Sequence, residues 1–154
     1  MSAGELGMSL EQIRRFTSEA FPIYEHIGLE VLDSEPPIGR CRVDLGAATS
    51  NHIGTVHAGV QWMVAELVGG VIAMRNFDTR RYVPVVRSVD IAFKRRALGA
   101  VTAEGGVSED EIRRIQMDLN ENGRADFEVE IAITTDAGTV ARASGRYHLR
   151  ENQV

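Results

Sequence analysis

An α+β fold, with an antiparallel sheet wrapped around one long central helix, is what this sequence predicts. Three observations lead there. Residues 57–75 form one long apolar helical candidate, far longer than any other. The last third of the chain alternates apolar and polar residues at strand period, with Phe127, Val129, Ile131 and Ile133 on one face and Asp126, Glu128 and Glu130 on the other. Only short helical patterns interrupt the remaining strands. One long helix among mostly antiparallel strands must be buried by the sheet.

The elements follow in order. Residues 9–21 read as an N-terminal helix: Ser9 with Gln12 makes a capping-box signature, and Leu10, Ile13, Phe16 and Ala20 approximate a stripe. The stretch "HIGLEVLDSEPPIGRCRVDLG" then predicts two short strands around a Pro-Pro-Ile-Gly turn. The long helix comes next, opened by an Asn-His-x-Gly-Thr turn. In "YVPVVRSVDIAFKRRA", Val89, Ile91 and Phe93 alternate with Ser88, Asp90, Ala92 and Lys94, which is a strand. Residues 99–107 are another. Ser108 and Glu111 form a second capping box before Ile112, Ile115 and Leu119, and Gly123 stops this short inserted helix. The final hairpin turns at Asp136-Ala137-Gly138, and its last strand carries Ala141, Ala143, Tyr147 and Leu149 on one face. No repeat or internal boundary divides residues 1–154, so one domain is expected.

Bulk composition narrows the function. The chain has 154 residues, enough for one core. Seventeen basic and 22 acidic residues give a net charge of −5, which disfavours nucleic acid as a partner. One cysteine, Cys41, excludes an intrachain disulfide and a multi-thiolate metal site. His52 and His57 sit five apart in a turn with no third ligand at helical spacing, so no metal is expected. No charged segment followed by an apolar run marks a leader, and Glu66 with His57 makes 53–74 a poor membrane span. No membrane association and a cytoplasmic location are the expectations. No G-x-S-x-G motif supports a serine hydrolase.

The carboxylate inside the long helix carries the functional argument. A buried Glu66 needs a partner, a raised pKa or a role. The helix begins near Ala58, where its first N–H groups lack intrahelical acceptors. These donors and the positive end of the dipole suit a developing oxyanion. Ala58 and Gly59 are small, so a carbonyl could approach the backbone there. Glu66 lies eight residues beyond Ala58, about 12 Å along a helix axis. One carbonyl cannot touch both. A composite site between two copies, with antiparallel central helices, resolves the distance. Gly69 and Gly70 weaken the helix and mark a close approach to the sheet or to that second copy.

The segment Asn51-His52-Ile53-Gly54-Thr55-Val56-His57-Ala58-Gly59, followed by Ala65-Glu66, resembles the signature of hotdog-fold acyl-coenzyme A thioesterases of the PaaI-like type. Ser88-Val89-Asp90 and the lead-in "IGLEVLD" are similar to that family too, over roughly residues 22–149. The inserted helix and "NENGRADFEVEIAITTDAG" resemble an uncharacterised hotdog branch known only as a domain of unknown function. The resemblance implies hydrolysis of an acyl-coenzyme A thioester. Glu66 would be nucleophile or general base, the Ala58 N–H would polarise the carbonyl, Asn51 would orient water or substrate, and Ser88 of the facing protomer would assist. It places His52, Gly54, His57, Gly59 and Trp62 around the substrate. It needs no cofactor, coenzyme A being part of the substrate, and it implies an obligate homodimer that pairs into a tetramer. Two departures stand out: Ala58 replaces the family's first Gly, and Glu66 replaces the commoner Asp.

Lys94-Arg95-Arg96 supplies three local cations in an acidic chain, suited to the phosphates of coenzyme A. Two other readings remain. His52 and Glu66 are fourteen apart, the spacing of the His–Glu pair in hotdog hydroxyacyl dehydratases, although the Pro-rich context of that family is missing. A non-catalytic acyl-coenzyme A-binding module is the other.

Overall fold

The computed structural model describes residues 6–153. Helix α1 (Leu10–Ala20) starts at Ser9, whose hydroxyl accepts from the Gln12 N–H at 3.1 Å while the Gln12 amide oxygen accepts from the Ser9 N–H at 2.8 Å. Both halves of the capping box form. A second helix, α2 (Pro22–Ile27), follows at once. The sequence reading had no helix here. Pro22 at the first helical position is pre-organised for it, and Gly28, with φ +68°, ends it in the left-handed region. The expected strand after it therefore shrinks to β1 (Glu30–Val31), and β2 (Ile38–Val43) follows the Pro36-Pro37 turn.

Helix α3 (Ala58–Asn76) is the central element, buried on most sides. The chain continues through β3 (Tyr82–Phe93), β4 (Val101–Gly106), α4 (Glu109–Asn122), β5 (Arg124–Thr135) and β6 (Gly138–Glu151). The strands form one antiparallel sheet in the order β1-β2-β4-β5-β6-β3. The α4 capping box is only half made. Ser108 accepts from the Glu111 N–H at 3.0 Å, but the Glu111 carboxylate turns to Arg114 instead.

The sheet wraps on α3. Phe127, Val129, Ile131 and Ile133 of β5 are buried, as are Ala141, Ala143, Tyr147 and Leu149 of β6. The alternation read from the sequence thus points at the helix. Gly69 records the closest approach: a Cβ there would lie 2.1 Å from Cζ of Tyr147. Gly70 is different, since its Cβ would meet only Leu67 Cδ1 at 3.5 Å and Met74 Cε at 4.0 Å. Of the two glycines, one serves contact with the sheet and the other leaves open space.

β3 closes one end of the sheet and pairs only with β6 among the described residues. Its register slips between Val86 and Ser88, so Arg87 is bulged out. The slip decides which side chains face the helix. Val86 stands opposite Tyr147 and Val89 opposite Gly145, whereas Ser88 stands opposite Arg146. Directly opposed residues share a face. Arg146 is an exposed residue paired with Glu128 on the outer side, so Ser88 faces outward with it.

Candidate active site

The site is built around Glu66 on α3. Its carboxylate is not alone: the Tyr24 hydroxyl of α2 donates to Oε2 at 2.9 Å. One turn of hydrogen bonding fixes the helix beneath it, because the Tyr147 hydroxyl of β6 donates to the Glu66 carbonyl at 2.9 Å. Burial pushes the Glu66 carboxyl above the ordinary carboxylate value, and the Tyr24 hydrogen bond partly opposes that rise. Burial and the nearby carboxylate push the Tyr24 hydroxyl up, so it stays a donor at neutral pH. Tyr24 was not foreseen as a site residue. It lies 42 residues from Glu66 in the chain, and no local pattern announces the contact.

Cys41 of β2 is fully buried, and burial with the nearby Glu66 raises its thiol. It is an inert core position. Among the described residues, no three His, Cys, Asp or Glu side chains converge as a metal site would require.

The loop leading into α3 is knit tightly. Asn51 Oδ1 accepts from the N–H groups of Ile53 and Thr55 at 3.1 and 3.0 Å, and its amide donates to the Thr55 hydroxyl at 2.8 Å. Asn51 thus holds the turn that contains His52 and Gly54. Gly54 has φ +76°, which this turn demands and a side chain would resist. His52 is exposed and makes no hydrogen bond to Glu66. His57 caps α3 through Nδ1, which accepts from the Gly59 N–H at 2.8 Å. The Ala58 N–H has no acceptor among the described residues and opens to solvent. Trp62, one turn on, donates from its indole to the Val89 carbonyl at 3.2 Å and pins α3 to β3.

Lys94, Arg95 and Arg96 follow β3 directly and are exposed. They sit beside the start of α3, because the Val56 N–H donates to the Ala97 carbonyl at 3.0 Å. Three cations and a free helix N-terminal N–H therefore share one end of α3. Within one chain Ser88 stands on the outer face opposite Arg146 and away from its own Glu66.

The family model described as a domain of unknown function, DUF4442, matches residues 10–149. The chain belongs to the DUF4442 family. A Pseudomonas aeruginosa structure, a protein of unknown function described as a probable thioesterase, is 31% identical, covers 97% of this DUF4442 chain and 100% of its own, and superposes with a TM-score of 0.85. A Chlorobaculum tepidum protein of unknown function is 18% identical over 92% of this chain and 94% of its own, with a TM-score of 0.82. A Haemophilus influenzae thioesterase is 15% identical over 94% and 92%, with a TM-score of 0.74. No curated protein matches the chain. This DUF4442 member has the hotdog fold, as its sequence signature implied. Among the described residues, no helix is long and apolar enough to cross a membrane.

Proposed function

We propose that this chain hydrolyses acyl-coenzyme A thioesters to the free acid and coenzyme A, with Glu66 as its carboxylate base. The observation that carries the reading is Glu66 itself: a half-buried acid with a raised pKa, one oxygen held by Tyr24 and the other without a partner among the described residues, at the edge of an apolar cavity. Perturbed carboxylates in clefts mark general bases. The similarity to a probable thioesterase at 31% identity supports the same class.

The chemistry follows from the start and the middle of α3. The free Ala58 N–H and the helix dipole accept the charge that develops on the thioester oxygen. Glu66 takes a proton from water as the water oxygen bonds to the carbonyl carbon. Collapse of the adduct breaks the C–S bond, and the proton passes to the departing thiolate. Direct attack by the carboxylate, through an anhydride that water then opens, uses the same held geometry. Lys94, Arg95 and Arg96 face the coenzyme A phosphates.

Ala58 and Glu66 are eight residues apart on one straight helix. The free edge of β3 offers a second copy a place to pair, and a dyad there sets the two α3 helices antiparallel. Each site then combines Glu66 of one copy with Ala58 of the other. Within one chain the Glu66 carboxylate is bonded by Tyr24 and not by His52.

The test is thiol release from short, medium, long and aromatic acyl-coenzyme A esters by wild type, Glu66→Ala and Glu66→Gln. Turnover that collapses in both folded variants is the expected result. No release from any ester removes the hydrolase reading, and thermal stabilisation by the esters would then mark a binding module. Unchanged turnover in the variants moves the chemistry off Glu66.

A further inference from the structure

A cavity of about 490 Å³ opens beside the Glu66 carboxylate. Its floor is the α3 face that carries Glu66, Gly70 and Met74 at successive i, i+4 positions. Phe16 and Phe21 of the N-terminal arm line one wall with Tyr24, and Tyr82 to Val86 of β3 line the other. The Tyr82 and Tyr147 hydroxyls are already engaged: Tyr82 donates to the Leu119 carbonyl and Tyr147 to the Glu66 carbonyl. Thr79 and Asn152 add polar groups to a lining that is otherwise mostly apolar. The volume falls in the range of small-molecule sites, roughly 300–1,000 Å³.

We propose that this cavity is the acyl slot and that it takes a medium-length apolar acyl group. The proposal rests on the thioester reading above and adds the substrate class. A coenzyme A thioester has an anionic half and an apolar half, and they need opposite surroundings. The cations Lys94, Arg95 and Arg96 stand at the N-terminal end of α3. The cavity runs the other way, from Glu66 towards Met74. With antiparallel helices, a thioester held at one copy's Ala58 and attacked by the other's Glu66 would send its acyl tail along this second floor. Phe16 and Phe21 are large apolar side chains, 42% and 37% exposed at the rim. An acyl chain beneath them removes apolar surface from water on both partners. Gly70 sets the depth, since among the described residues only the Leu67 and Met74 tips lie near its missing side chain.

Two variants test the slot, Gly70→Leu and Phe16→Ala. The first fills the floor at a point with room for a Cβ, and the second removes part of the exposed wall. Wild type should favour dodecanoyl over butyryl coenzyme A in kcat/KM, by up to about fourfold per added methylene. Gly70→Leu should lower that ratio at least tenfold, and Phe16→Ala should lower it less. Decanoate binding by calorimetry reads the slot without turnover, and it should weaken in both variants. A ratio and a decanoate affinity that do not move in folded variants overturn the slot while leaving the hydrolase intact. A Gly70→Leu chain that loses its dimer while its decanoate affinity stays unmoved assigns the cavity to the second copy instead. Decanoate binding that weakens in the variants when no thioester is turned over keeps the slot and removes only the hydrolase.

Discussion

The Tyr24 hydroxyl donates a 2.9 Å hydrogen bond to Oε2 of Glu66, joining the N-terminal arm to the central helix at the one carboxylate that α3 buries. That bond stabilises the ionised form. Tyr24→Phe removes it and leaves the desolvation that raises the Glu66 carboxyl unopposed. A base works deprotonated, so the acidic limb of kcat/KM against pH should move to higher pH in Tyr24→Phe. A hydrogen bond to a charged group is among the stronger ones, so the limb should move measurably. A pH–rate profile checks this. An unmoved limb with lower activity would make Tyr24 a packing residue only.

Glu66 also makes stability depend on pH. Its folded-state carboxyl is raised above 4.5. The folded protein therefore holds that proton more tightly than the unfolded chain does. Stability attributable to Glu66 is full below 4.5 and falls as pH rises through the raised folded value. Glu66→Gln lacks that titration. The difference in unfolding free energy, Glu66→Gln minus wild type, should grow from 4.5 upward and then level off. Urea unfolding across pH measures it, and a flat difference would remove the desolvated-acid picture.

These two residues also show what the sequence could and could not disclose. Glu66 was visible because an acid interrupts an apolar helical run, and any such acid demands an explanation. Tyr24 was not, because its partner is 42 residues away and its own segment lies between the N-terminal helix and the first expected strand, where no pattern assigns an element. The signals for α2 were present, Pro22 at the start and Gly28 at the end, but six residues are too few for periodicity to assert itself. The strands β5 and β6 were legible because alternation over twelve and fourteen residues leaves no second answer. The bulge at Arg87 carries no such mark. It shifts the face on one side of the slip only, so the alternation of Val89, Ile91 and Phe93 against Ser88 and Asp90 agrees with the sheet, while the placing of Val86 on the same face as Val89 needs the register.

Gly69 and Gly70 look alike in sequence and should behave oppositely. Gly69→Ala drives a methyl into the Tyr147 ring, which stacks on Phe127 at 5.2 Å between centroids and cannot swing away freely. Overpacking of this kind costs about 1–3 kcal/mol. Gly70→Ala meets only ordinary contacts and gains helix propensity, up to about 1 kcal/mol. Denaturant unfolding of both single variants decides. Equal losses would mean that the α3–β6 contact is looser than the geometry states.

The cation cluster should matter only to the nucleotide half of the substrate. Alanine at Lys94, Arg95 and Arg96 removes three charges near the start of α3 that make no ion pair among the described residues. KM for an acyl-coenzyme A should rise about tenfold or more, on the order of 1.4 kcal/mol. KM for the matching acyl-pantetheine, which lacks the adenosine phosphates, should stay near the wild-type value. The wild-type KM for the coenzyme A ester should also rise with salt while that of the variant responds less. Equal effects on both substrates would place the cations elsewhere in the reaction.

Ala58 offers a way to test the composite site without disturbing the helix. It is the first helical residue, where proline is tolerated because its N–H has no intrahelical acceptor. His57, with φ −59° and ψ 140°, already has the backbone that a following proline requires. Ala58→Pro therefore deletes one N–H and little else. Loss of such a donor costs about 3–4 kcal/mol of barrier, a fall of roughly 100- to 1,000-fold in kcat. The sharper prediction comes from mixing it with Glu66→Gln. In a mixed dimer whose sites each combine Glu66 of one copy with Ala58 of the other, one site is doubly broken and the other is intact. Co-expression of the two inactive chains should then restore activity that neither homodimer shows. If both groups came from one chain, every site in the mixture would carry a lesion and no activity would return.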